Sequence, residues 1–112
     1  MGSEAIKGHL DSLILAVIAE GPLHGYAIIE ELKRRSGGVF DLPEGTIYPA
    51  LHRLEHAGLL DSEWNTETGR KRRVYRLTRS GGAKLGLDRV EWQRFAQGIA
   101  AVLQPPARPA TS

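Results

Sequence analysis

Pro43-Glu44-Gly45-Thr46-Ile47-Tyr48-Pro49-Ala50-Leu51-His52-Arg53-Leu54-Glu55-His56-Ala57-Gly58-Leu59-Leu60 decides the fold, together with Gly69-Arg70-Lys71-Arg72-Arg73-Val74-Tyr75-Arg76-Leu77-Thr78 shortly after it. In the first stretch Ile47, Ala50, Leu51, Leu54 and Ala57 recur at helical spacing, which predicts an amphipathic helix from about Gly45 to Ala57. Gly58 is a natural residue just past a helix end, with Leu59 closing the cap. Pro49 lacks an N–H, and a start at Gly45 or Thr46 keeps it near the last position where that loss costs little. In the second stretch Arg73, Tyr75 and Leu77 share one strand face, and Arg72, Val74 and Arg76 share the other. Leu60 to Asn65 is the matching strand, and Thr66-Glu67-Thr68-Gly69 reads as a four-residue hairpin turn. A helix feeding into a basic hairpin is the sequence shape of a winged helix-turn-helix.

On the N-terminal side, Leu10, Leu13, Ile14, Val17 and Ile18 fall on one face of a helix running from about Glu4 to Glu20, which Gly21-Pro22 stops. A second helix follows from about Gly25 to Ser36, with Tyr26, Ile28, Ile29 and Leu32 as its apolar positions. Lys33, Arg34 and Arg35 sit at its C-terminal end, where cations suit the helix dipole. Phe40 and Leu42, in the connector after Gly37-Gly38, are expected to pack inward. On the C-terminal side a last helix is expected from Ser80 to Leu103. Leu85, Trp92 and Ile99 are spaced by seven there, as are Phe95 and Val102, which makes a short heptad seam interrupted by Asp88. Gly82, Gly86 and Gly98 lower that helix's propensity. The expected architecture is mainly α with a small β-hairpin wing. A winged helix-turn-helix domain spans residues 4–79, a C-terminal dimerisation helix residues 80–103, and a disordered tail residues 104–112.

The chain has 112 residues and a net charge of only +2, with a pI near 9.2. The placement of charge says more than its sum. Between Arg70 and Arg79 stand six basic residues (Arg70, Lys71, Arg72, Arg73, Arg76, Arg79) and no acid, whereas the whole chain carries thirteen acids against fifteen Lys and Arg. One basic patch on a mildly acidic body is the electrostatic footprint of a polyanion binder. The absence of cysteine removes disulfides, Cys-based zinc sites and Cys nucleophiles, and suits a reducing cytoplasm. Leu13 to Ala19 is too short to span a bilayer, and no signal peptide is evident, so a cytoplasmic protein without membrane contact is expected. His52 and His56 stand four apart on one helix face, but no third ligand joins them, and neither a metal site nor a cofactor is expected. No phosphate-cradling glycine motif and no His/carboxylate set of recognisable spacing points to an enzyme.

These residues resemble the PadR-like transcriptional regulators, small bacterial winged-helix proteins. The resemblance rests on Lys7-Gly8-His9-Leu10-Asp11, on Gly21-Pro22-Leu23-His24-Gly25-Tyr26, and on Gly45 to Glu55 in the third helix. It also rests on Gly69 to Thr78 in the wing and on Trp92 in the last helix. It implies a homodimer made by the first and last helices, repression through an inverted-repeat operator in double-stranded DNA, and release by a small effector in some members. The single last helix resembles the short subgroup of the family. His52 stands where many members have Lys.

On this reading Thr46, Tyr48, Pro49, His52 and Arg53 are the DNA recognition residues, because a recognition helix presents its exposed residues to base edges. Arg53 suits guanine or a phosphate, Thr46 a base or phosphate, and Pro49 a thymine methyl. Arg70, Lys71, Arg72 and Arg73 in the wing are expected on phosphates or in the minor groove, supplying affinity more than sequence choice. Lys33, Arg34 and Arg35 are candidates for further phosphate contacts. The expected dimer interface comprises Leu10, Leu13, Ile14, Val17, Leu85, Trp92, Phe95, Ile99 and Val102. Trp92 is the candidate for stacking a planar small-molecule effector. The alternative on the same fold is a winged-helix protein-interaction module without DNA binding.

Overall fold

The computed structural model describes residues 6, 8–67 and 69–106. Glu4, Lys7, Thr68 and residues 107–112 of the expected tail lie outside the described residues. In chain order the elements are α1 (Leu10–Ile18), β1 (Leu23–His24), α2 (Gly25–Arg35), α3 (Glu44–His56), β2 (Leu60–Asn65), β3 (Arg72–Leu77) and α4 (Arg79–Leu103). The fold is mainly helical, with a small antiparallel sheet.

One apolar core joins the pieces. Ile14, Leu15 and Ile18 of α1, Ile28 and Leu32 of α2, and Ile47, Leu51 and Leu54 of α3 meet Leu60, Tyr75 and Leu85 there. Burial at helical spacing on three helices is what fixes their mutual packing. Leu42 packs against this core, while Phe40 is half-buried and its amide bonds to the Ser36 hydroxyl.

α3 ends in a Schellman arrangement. The Leu59 amide reaches the Leu54 carbonyl and the Gly58 amide reaches Glu55, with Gly58 at φ 79° in the left-handed region. The Thr78 hydroxyl then donates to the Gly58 carbonyl at 2.7 Å and accepts from the Gly81 amide at 3.0 Å. One side chain therefore pins the end of α3 to the first turn of α4. The start of α3 differs from expectation. The helix begins at Glu44, so Pro49 lies in its second turn, where its missing N–H leaves the Gly45 carbonyl without a helical partner. Pro49 and Gly45 are both exposed, so water can satisfy that carbonyl.

The sheet has three strands in the order β1-β3-β2, one more than the expected hairpin. β1 pairs Leu23 with Tyr75 and His24 with Val74. β2 pairs with β3 from Leu60 opposite Leu77 to Asn65 opposite Arg72. β3 starts at Arg72, so Arg70 and Lys71 belong to the loop at the hairpin tip instead of the strand.

α4 runs unbroken through Gly82, Gly86 and Gly98. Gly81 and Leu85, in its first two turns, are its only buried residues, and Asp88 and Trp92 make further contacts with the start of α1. This corrects the expected dimer set. Ile14, Val17 and Leu85 are 0%, 3% and 3% exposed within the single chain, so they are spent on its own core. Leu10 and Leu13 are half-buried against the core, while Trp92, Phe95, Ile99 and Val102 remain exposed. Asp88 interrupts the seam for a local reason. It accepts from the Ser12 hydroxyl at 2.6 Å and from Lys84 at 3.1 Å, tying α4 to α1. Partial burial pushes its carboxyl up, but the Ser12 and Lys84 donors outweigh that and hold it below the usual carboxylate range.

Candidate nucleic-acid interface

The first half of α3 and the wing enclose an open cleft of about 590 Å³, floored by the β1–α2 junction. Tyr48 and His52 line it from α3, and Arg70, Lys71, Arg72 and Arg73 from the wing. Two stretches separated by some twenty residues of sequence thus become two walls of one site. Thr46, Pro49 and Arg53 do not line the cleft; Pro49 and Arg53 are exposed on α3 and Thr46 is half-buried.

Tyr48 owes its position to Gly25. A Cβ on Gly25 would stand 2.5–2.6 Å from the Tyr48 ring and hydroxyl, so only glycine lets that ring lie against the start of α2. The Tyr48 side chain is therefore half-buried on the body, with the cleft before it.

The wing cations are not equivalent. Arg73 donates to the Ser62 hydroxyl at 2.8 Å and stands 3.6 Å from Glu55, while Arg76 pairs with Glu63 at 3.0 Å. The acid-free stretch of sequence is thus partly neutralised in space by acids from α3 and β2. Arg70, Lys71 and Arg72 have no carboxylate partner among the described residues. Trp64, directly opposite Arg73 on β2, is 55% exposed and carries Lys71 Nζ at 4.7 Å and the Arg73 guanidinium at 5.2 Å from its ring centre. Cation–π contact of this kind orders cationic side chains without neutralising them.

Other predicted contacts lie elsewhere. Arg53, in the last turn of α3, pairs with Asp11 of α1. Arg34 and Arg35 both bind the Glu31 carboxylate, at 2.7 and 2.9 Å, and Lys33 stands 3.7 Å from Asp41. Hydrogen bonds from Arg34 and then Arg35 hold the Glu31 carboxyl down at about 2. The three cations at the end of α2 are thus each engaged by a carboxylate, two of them sharing one, and they lie outside the cleft lining.

Sequence reasoning missed His24, Glu44, Tyr26 and Trp64 as cleft residues. His24 sits on a two-residue strand that no periodicity reveals. Trp64 carried a readable signal, since it lies in the strand paired with the basic one. Glu44 is a carboxylate in the first turn of α3, where it suits the helix dipole and opposes a polyanion.

Away from the cleft, His9 meets Trp92 edge-on at 5.1 Å, and Trp92 lies 5.8 Å from Phe95. These rings form an exposed aromatic cluster where α4 crosses the start of α1. Among the described residues no three His, Asp or Glu side chains are placed to hold a metal ion, and no helix is long and apolar enough to cross a membrane.

Residues 14–87 match the Transcriptional regulator PadR-like family. A transcriptional regulator of Mycobacterium tuberculosis is 42% identical over 86 residues, covering 77% of this chain and 78% of that protein. The solved structure of a Clostridium thermocellum transcriptional regulator superposes with a TM-score of 0.83 at 29% identity, covering 91% of this chain and all of that one. The structure of Bacillus subtilis PadR in complex with operator DNA shares the fold, with a TM-score of 0.65 at 24% identity over 94% of this chain and 52% of that one.

Proposed function

Because this chain belongs to the PadR-like family of transcriptional regulators, we propose that it works as a homodimeric repressor on an inverted-repeat operator. The observation that carries this reading is the division of its surface. Glu44, Tyr48 and His52 of α3 and the wing cations Arg70, Lys71 and Arg72, which have no carboxylate partner among the described residues, line one cleft, with Pro49 exposed on the same helix outside it. The exposed apolar residues of α4 lie on a separate surface, along a helix that projects from the core.

In this mechanism α3 enters the major groove and the wing follows the backbone. Pro49 and His52 face bases, and Thr46 and Tyr48 sit at the groove edge. Arg70, Lys71 and Arg72 neutralise phosphates and release counterions, which supplies affinity for any sequence. A second copy, joined through Trp92, Phe95, Ile99 and Val102, places its α3 about 34 Å away, one helical turn of DNA. Repression follows from occupying a promoter-overlapping operator. A planar apolar effector stacking on Trp92 at the dimer seam would release it. The protein acts in the cytoplasm, where its DNA is.

The test is selection of bound duplexes from a random pool. A near-palindromic consensus supports the reading, and an unenriched pool counts against it. Arg70→Ala with Lys71→Ala and Arg72→Ala should weaken binding to all duplexes and reduce the slope of log affinity against log salt by about 2–3, at roughly 0.9 per phosphate contact. Unchanged affinity and slope would remove the wing from the interface.

A further inference from the structure

His24 and Arg72 meet although 48 residues separate them. β1 sets His24 opposite Val74, and Arg72 lies two residues along the same face of β3, within diagonal reach. Arg72 Nη1 stands 2.8 Å from His24 Nε2. The other ring nitrogen, Nδ1, faces the Ala27 amide at 3.3 Å as the cap of α2.

The two contacts make conflicting demands. A neutral imidazole carries one proton and offers one acceptor nitrogen, and a guanidinium only donates. If Nδ1 caps α2, the proton sits on Nε2 and points at Arg72. If Nε2 accepts from Arg72, Nδ1 carries the proton and points at the Ala27 N–H. Burial and the Arg72 charge push the ring's pKa below its ordinary value, so the neutral form prevails and one donor pair is always left facing. The capping tautomer satisfies an amide at a helix start, which has no partner within the helix. The leftover pair is then Nε2–H and the Arg72 guanidinium, both at the cleft wall beside Tyr48 and Lys71. Among the described residues no acceptor serves both members of the pair.

Resting on the DNA-binding reading above, we propose that His24 and Arg72 together clamp one non-bridging oxygen of a DNA backbone phosphate. The oxygen accepts from His24 Nε2–H and from Arg72 at once, which turns a facing donor pair into two hydrogen bonds, both assisted by the phosphate charge. The register between β1 and β3 fixes the spacing of the two donors. The α2 cap fixes the tautomer.

His24→Asn separates the roles, because Asn caps helices well yet is too short to reach Arg72. Wild type, His24→Asn, Arg72→Ala and the double variant are titrated against a labelled random duplex at several salt concentrations. The expected result is an unchanged melting temperature for His24→Asn and a loss of about 5–10-fold in affinity, similar on every duplex. The double variant should bind no more weakly than Arg72→Ala alone. Wild-type affinity in His24→Asn, or losses that add fully in the double variant, would overturn the clamp. Imidazole nitrogen NMR of the wild-type protein provides a check that needs no variant. Nε2–H in the DNA complex supports the clamp, and Nδ1–H overturns it. If the wild type fails to bind any duplex at low salt, the DNA-binding reading itself fails, which is a distinct outcome.

Discussion

Arg53 Nη2 lies 2.5 Å from Asp11 Oδ1, joining the last turn of α3 to the first turn of α1. The neighbouring Ser12 bonds Asp88 of α4, and His9, the residue capping α1, packs on Trp92. The start of α1 therefore touches both the helix proposed to read DNA and the helix proposed to dimerise. Asp11→Ala should change stability by less than about 1 kcal/mol, since the pair is largely exposed. It should also free Arg53 and strengthen binding to random duplex a few-fold. Unaltered random-duplex affinity, measured by fluorescence anisotropy, would show that Arg53 does not reach DNA.

Gly25→Ala should destabilise the fold by about 1–3 kcal/mol, because the new methyl meets the Tyr48 ring. In a Tyr48→Ala background the same change should cost less than half as much. Urea unfolding of the four proteins decides this, and equal costs in both backgrounds would mean that the ring does not hold that position.

Acid should weaken the fold in two stages. The folded pKa of His24 lies below the ordinary 6.5, so between those values the unfolded chain binds more protons. Its contribution is whole above pH 6.5 and declines as pH falls below it. Glu31 drops from 4.5 to about 2 on folding, so its contribution is whole above 4.5 and is lost toward 2. Solvent screening keeps that second limb shallow. Urea midpoints across this range should show both limbs. His24→Asn should flatten the upper one, and an upper limb that persists in that variant would assign it to another group.

Trp92→Asp with Ile99→Asp should give a monomer by sedimentation without lowering the melting temperature of the winged domain, since both side chains are exposed in the single chain. A dimer that survives the two charges would place the interface elsewhere.

The three core helices were legible because their buried residues repeat at helical spacing, and α3 and the hairpin carried the fold between them. β1 was not legible. Two residues have no period, and Leu23–His24 becomes a strand only because β3 lies beside it. The heptad of α4 misled in part for a related reason. Leu85 and Trp92 are equivalent by spacing, yet Leu85 is buried in the core while Trp92 only rests one edge on His9 and stays half exposed. Charge was legible as a stretch, but the acids that pair with Arg73 and Arg76 come from Glu55 and Glu63, which no local count includes.

Beyond Leu85, α4 continues for eighteen residues with nothing buried. In proteins most helical stability comes from packing an apolar face, and this stretch has little of that within one chain. If its cover is a second chain, the helix and the dimer become one equilibrium, governed by how many copies the cell holds. At low copy number operator occupancy would then rise with the square of concentration, so the bare half of α4 would act as a counter of molecules.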